Sequence, residues 1–159
     1  MVVDAAGNLY GTTYGGGNSN DGTIFELGAG SSTITTLASF DGCNGSNPRA
    51  CLLADAAGNL YGTTTNGGSD DLGTVFELAN GSSTITTLVS FNGTNGALPI
   101  GGLIADASGN LYGTTTAGGS TLFGTIFELT NTGFVVPEPS TLTLLILTAA
   151  TASARRRPH

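Results

Sequence analysis

A repeat with no gaps limits what this chain can become. Asp4-Ala5-Ala6-Gly7-Asn8-Leu9-Tyr10-Gly11-Thr12-Thr13 returns unchanged at Asp55 to Thr64, and with only Ser108 altered at Asp106 to Thr115; each step is 51 residues. Gly22 to Leu27 recurs at Gly73 to Leu78 and Gly124 to Leu129, and Gly30 to Leu37 is identical to Gly81 to Leu88. Phe40 matches Phe91, and Pro48 matches Pro99. The chain is therefore a set of tandem structural units, and each unit must bury its apolar residues against its neighbours.

Within a unit the pattern reads as strands. In the second unit Leu52-Leu53-Ala54 is a short apolar run, and Asp55 to Asn59 is a turn whose Asp bonds the backbone ahead of it. Leu60 to Thr65 and Thr74 to Leu78 are strands, as is the β-branched run Thr84 to Phe91. Gly and Pro interrupt the chain about every ten residues, and no segment of the repeats carries a 3.6-residue apolar period. Four short antiparallel strands at a period near 50 predict an all-β fold of propeller-like blades stacked face to face. A β-solenoid is the alternative, but its coils usually have shorter periods.

Two features set the chain apart from a complete propeller, which needs about four to eight blades. The third unit lacks its fourth strand, because Gly133-Phe134-Val135 leads straight into a different kind of segment. The chain also starts inside a unit, at Met1-Val2-Val3-Asp4. The sequence therefore predicts a partial array, with upstream blades missing or with completion by association of open ends. Its repeat region is 1–135, with units at about 1–51, 52–102 and 103–135, and a tail covers 136–159.

Charge narrows the function classes. There is no Lys, and the four basic residues are Arg49 and Arg155-Arg156-Arg157. Residues 1–135 thus carry ten acids against one base, a surface that repels phosphate and argues against nucleic-acid binding. The only His is the last residue, which removes most acid–base and nucleophilic chemistry. No cofactor is called for, and the composition predicts a scaffold or binder rather than an enzyme.

The tail has three parts. Val136-Pro137-Glu138-Pro139-Ser140 precedes 14 uncharged residues, Thr141 to Ala154, which Arg155-Arg156-Arg157 close. The 14-residue run is short of the ~17–25 residues that span a bilayer comfortably, and as a helix it would reach only about 21 Å. This order resembles a PEP-CTERM sorting signal of exported proteins in Gram-negative, biofilm-forming bacteria. The resemblance implies a short apolar helix passing transiently through the inner membrane and recognition by an exosortase-type membrane protease. It further implies delivery to the cell surface or exopolysaccharide. A sorting tail without an export signal in front of the repeats again predicts a missing N-terminal part. The GNLYGTT…GG…GTIFEL pattern over residues 1–132 is similar to the Gloeo/Verruco (GloVer) tandem repeat, which implies a bacterial surface protein with no established catalytic activity.

Candidate sites fall at repeated positions. Glu26, Glu77 and Glu128 suit strand-end hydrogen bonding or cation or sugar binding. Asp4, Asp55 and Asp106 open the turns, which accounts for them without a metal. The oxygen-rich Asn18 to Gly22 and Ser69-Asp70-Asp71 suggest weak Ca²⁺ binding, but lack an EF-hand's spacing. Tyr10, Tyr61 and Tyr112 suit either packing between blades or ligand contact by stacking on sugars of surface glycans. Cys43 and Cys51, in one connection, could form a disulfide in an oxidising compartment. The overall expectation is an exported, non-enzymatic repeat protein at the cell surface or in exopolysaccharide. The alternative is a fragment of a propeller enzyme whose active-site blades lie upstream.

Overall fold

A computed structural model describes residues 1–137. They form eleven short strands and, among the described residues, no helix. The first sheet is an antiparallel meander of β1 (Val2–Val3), β2 (Leu9–Thr13), β3 (Thr23–Leu27) and β4 (Ile34–Ser39). The second repeats it with β5 (Leu53–Ala54), β6 (Leu60–Thr64), β7 (Thr74–Leu78) and β8 (Ile85–Ser90). The third has only β9 (Ile104–Ala105), β10 (Leu111–Thr114) and β11 (Ile126–Leu129).

The propeller-like expectation is corrected here. Antiparallel blades are present, but they form two sheets of four strands and one of three, with no closed propeller. The physical reason is local. Beyond β11 the backbone carries Phe134 onto Tyr61 and Val135 onto the Asp55 turn, so residues 130–137 do not pair with β11. Among the described residues two end faces are left uncovered, and three blades do not close a ring. The C-terminal helix expected over Thr141 to Ala154 is not seen, because those residues lie outside the described ones. Among the described residues no helix is long and apolar enough to cross a membrane.

The same register recurs in each sheet. Leu60 faces Leu78, Tyr61 faces Glu77 and Gly62 faces Phe76, as Leu9, Tyr10 and Gly11 face Leu27, Glu26 and Phe25. A glycine is required opposite the phenylalanine, because a Cβ on Gly62 would meet the Phe76 ring tip at 2.7 Å. The pairing of β3 with β4 shifts between Ile24 and Phe25, and that of β7 with β8 between Val75 and Phe76. Each bulge leaves one leucine, Leu37 or Leu88, without a partner in the ladder.

Two apolar clusters hold the sheets together. The first joins Ile24, Ala38 and Phe40 of the first unit to Leu52, Leu60, Phe76, Leu78 and Ile85 of the second. The second joins Tyr61, Val75 and Phe91 to Leu103, Leu111 and Phe134. Phe40 meets Phe76 edge-on at 5.0 Å between centroids, and Phe91 meets Phe127 likewise at 5.1 Å. Such aromatic pairs add about 0.5–1.5 kcal/mol beyond the area they bury. The middle sheet is covered on both sides, so β6 is buried along its whole length while β2 and β10 are not.

Equivalent residues should therefore differ in worth. Phe76→Ala is expected to cost ~3–5 kcal/mol, the usual range for a fully buried aromatic. Phe25→Ala, at the half-covered equivalent position, is expected to cost less than half as much. Denaturant unfolding of both variants checks this, and equal losses would contradict face-to-face stacking.

Candidate functional site

The repeated element Asp-x-x-Gly-Asn-Leu-Tyr builds one hydrogen-bond node per sheet. In the first, Asp4 Oδ1 accepts the backbone N–H of Ala6 at 2.9 Å and of Asn8 at 2.8 Å. The Asn8 side-chain amide donates to Asp4 Oδ2 at 2.8 Å, and its oxygen accepts the N–H of Ala29. The Asp thus fixes its own turn, and the Asn ties that turn to the one after β3. The strand that follows places the Tyr10 hydroxyl 3.2 Å from both Asp4 Oδ2 and Glu26 Oε1. Its single proton serves one carboxylate at a time.

The other two nodes repeat this. The Tyr61 hydroxyl lies 3.5 Å from Asp55 and 3.2 Å from Glu77, and that of Tyr112 lies 3.2 Å from Asp106 and 2.9 Å from Glu128. The middle node differs by one contact, because Asp55 Oδ2 also accepts the N–H of Val135 at 3.2 Å. The structure thus brings the three families of repeated residues together, one of each kind per sheet. Among the described residues no cluster of three or more His, Cys, Asp or Glu could hold a metal.

These contacts shift the titrating groups. The backbone N–H of Asn8, then its side chain and the Tyr10 hydroxyl, hold the Asp4 carboxyl below its ordinary 3.8. Asp106 is lowered likewise, first by the Asn110 backbone N–H. The hydrogen bond to Glu128, then desolvation and Asp106, push the Tyr112 hydroxyl up to about 12. Burial, then the charges of Glu77 and Asp55, push Tyr61 well above its ordinary 10.0. Tyr10 is raised by desolvation and then by the charge of Glu26.

The first two nodes each border a space between two sheets, and the two spaces differ. Between the first and second sheets lies a groove with a volume of about 390 Å³, lined by residues that include Tyr10, Glu26, Thr36, Leu60, Asn80, Ser82 and Ser83. A second hollow of about 600 Å³ shares Tyr10, Leu60 and Asn80 and adds Asp4, Asp55 and Pro137. Both volumes suit a small ligand. Between the second and third sheets Phe134, one repeat on from Ser83, sits 5.3 Å from the Tyr61 ring. Tyr61 is fully buried there, whereas Tyr10 is half-buried and borders open space.

The remaining sequence candidates have other surroundings. Asn20 and Asp71 spend their side-chain oxygens on the N–H groups of Gly16 and Gly67, and Asp21 accepts from Ser46. Those loops use their oxygens to hold their own shape. Cys43 and Cys51 are free, exposed thiols. Of the sorting segment, Val136 and Pro137 are described, while Glu138, Pro139, Ser140 and Arg155 to Arg157 lie outside the described residues.

One joint was not singled out from the sequence. Thr64 and Thr74 share a hydrogen bond at 2.8 Å across β6 and β7, as Thr13 and Thr23 do at 2.9 Å and Thr115 and Thr125 at 3.0 Å. The connection from the preceding unit rests on this pair: Thr74 donates to the Asn44 carbonyl and Thr125 to that of Asn95. A Cβ on Gly45 would lie 2.6 Å from Thr64, so only glycine fits. The recurrence of Gly45 and Gly96 one repeat apart was the available signal.

Stacked antiparallel sheets with one node per unit define a tandem-repeat β protein. The chain belongs to the Gloeobacter/Verrucomicrobia repeat family, whose model matches residues 1–146. No curated protein matches it.

Two outcomes follow. Asp4 and Asp106 have lowered folded-state values, so their contribution is present above about pH 4 and is lost as pH falls through those values. The tyrosines are raised, so the unfolded chain releases their protons first and stability declines above about pH 10. Unfolding midpoints across pH should form a plateau between these limits, with both shoulders weakened by Tyr112→Phe on the alkaline side and Asp106→Ala on the acid side. Separately, Leu122 holds a φ of 64° where the first unit has Asn20 at 62°. Leu122→Asn should stabilise by about 0.5–2 kcal/mol, read as a raised unfolding midpoint.

Proposed function

We propose that this repeat protein is a non-enzymatic binder of the cell surface, exported and sorted through its C-terminal segment, and that it contacts neutral glycans in the groove between its first two sheets. The observation that carries the reading is the open groove beside Tyr10. It combines an aromatic side chain with Glu26, Thr36, Asn80 and Ser82, a mixture of stacking surface and hydrogen-bonding groups that suits a sugar. Ten acids against one base in residues 1–135 disfavour acidic polymers and favour an uncharged one. The Val136 to Ser140 motif, the apolar run and the Arg cluster support delivery by an exosortase-type protease through the inner membrane.

Titration of the full chain with cellohexaose and maltohexaose tests the binding part. One of them should bind weakly at one site, and Tyr10→Ala should weaken that binding about tenfold or more, the order of a lost stacking contact. Phe134→Ser, which restores the second unit's residue at the closed position, should raise the stoichiometry to two. Absence of binding to either sugar would remove the glycan reading. Expression in an exosortase-bearing host tests sorting: the chain should reach the surface fraction, and replacing Arg155 to Arg157 with Ser should hold it in the inner membrane.

A further inference from the structure

Among the described residues, the two ends of the sheet stack are uncovered copies of surfaces that already bind each other twice inside the chain. Each sheet has a leading face turned to its predecessor and a trailing face turned to its successor. In the second sheet the leading face presents Leu60, Phe76, Leu78 and Ile85 to the first sheet, and the trailing face presents Leu53, Tyr61, Leu72 and Val75 to the third. The first sheet has no predecessor among the described residues. Its leading face holds Leu9, Phe25, Leu27 and Ile34, and Ile34 is 61% exposed where Ile85 is 7%. The third sheet has no successor among the described residues, and its trailing face holds Ile104, Tyr112, Phe123 and Ile126. Phe123 and Ile126 are 90% and 82% exposed, whereas Val75, equivalent to Ile126, is 0%.

Neither end carries a charged side chain that its buried copies lack: Asp106 and Glu128 beside Tyr112 stand where Asp55 and Glu77 stand beside the buried Tyr61. The positions named above, apolar in the buried copies, have stayed apolar in the exposed ones. We infer that the trailing face of the third sheet docks on the leading face of the first sheet of a second copy of this chain, reproducing the contact made twice within it. The contact is heterologous, so it builds a ring or a filament. The third sheet brings only its first three strands to it, so the contact is smaller than the internal ones. With a net charge of −7 on each copy, repulsion opposes it, and added salt should strengthen it by screening.

The test is sedimentation and light scattering of the full chain from low micromolar to near-millimolar concentration. The weight-average mass should rise about twofold or more above the 15.8 kDa of one chain, and further in high salt. Ile34→Asp spoils only the leading face and Ile126→Asp only the trailing face, so each variant alone should remain a single chain. Mixed together they should form a 1:1 complex and nothing larger, through the one intact face on each. A parent chain that stays single throughout overturns the inference. So does self-association of either variant alone, which would mean like faces pairing or unspecific adhesion, and so does a mixture that fails to combine. Circular dichroism checks the β fold of both variants, and Ile34→Thr with Ile126→Thr replaces any that loses it.

Discussion

Burial of one sheet's face by the next is the interaction on which the rest of the structure depends. A single meander of four short strands has two apolar faces and no core of its own. Here the edge-on contacts of Phe40 with Phe76 and of Phe91 with Phe127 bridge the two gaps at nearly the same distance. The ring tips of Phe76 and Phe127 in turn lie against Gly62 and Gly113 of the neighbouring strand, so sheet spacing and strand sequence are fixed together. The bulges after Ile24 and Val75 add local twist where β3 pairs with β4 and β7 with β8.

Polar groups refine this arrangement without driving it. The Tyr hydroxyls reach two carboxylates each and so tie the turn at the start of a sheet to its third strand. Asp55 carries the largest share, because it also receives the chain as it leaves the third sheet. A buried carboxylate supplied with donors from its turn, its strand and a distant segment is the kind of group whose removal leaves orphaned donors behind. This is why identical nodes have unequal surroundings: their sequence is shared, but what covers them is not.

Much of the architecture was legible in the sequence. The 51-residue step and the Gly-punctuated strands correspond to observed elements, and among the described residues the third sheet has three strands. The turn role of Asp4, Asp55 and Asp106 was legible because an Asx turn is a short-range device. The joining of Asp, Tyr and Glu was not, because Tyr10 and Glu26 meet only through the pairing register of β2 and β3. The propeller-like reading of a partial array did not hold: repeat period predicts a blade, but the number of blades decides whether a ring forms. The difference between the open and filled grooves rests on one residue, Ser83 against Phe134, which looks unremarkable until its partner Tyr61 is seen beneath it.

The glycine connections have a consequence for how such arrays grow. Residues 44–46 belong by sequence to the first unit, yet they lie on the threonine pair of the second. Sequence boundary and physical boundary are therefore out of phase. A duplicated segment of 51 residues carries a lid for the sheet that follows and a seat for the lid that precedes. Recombination between such segments can lengthen or shorten the array without inventing a new joint, since every insertion arrives with both halves of the fitting it needs.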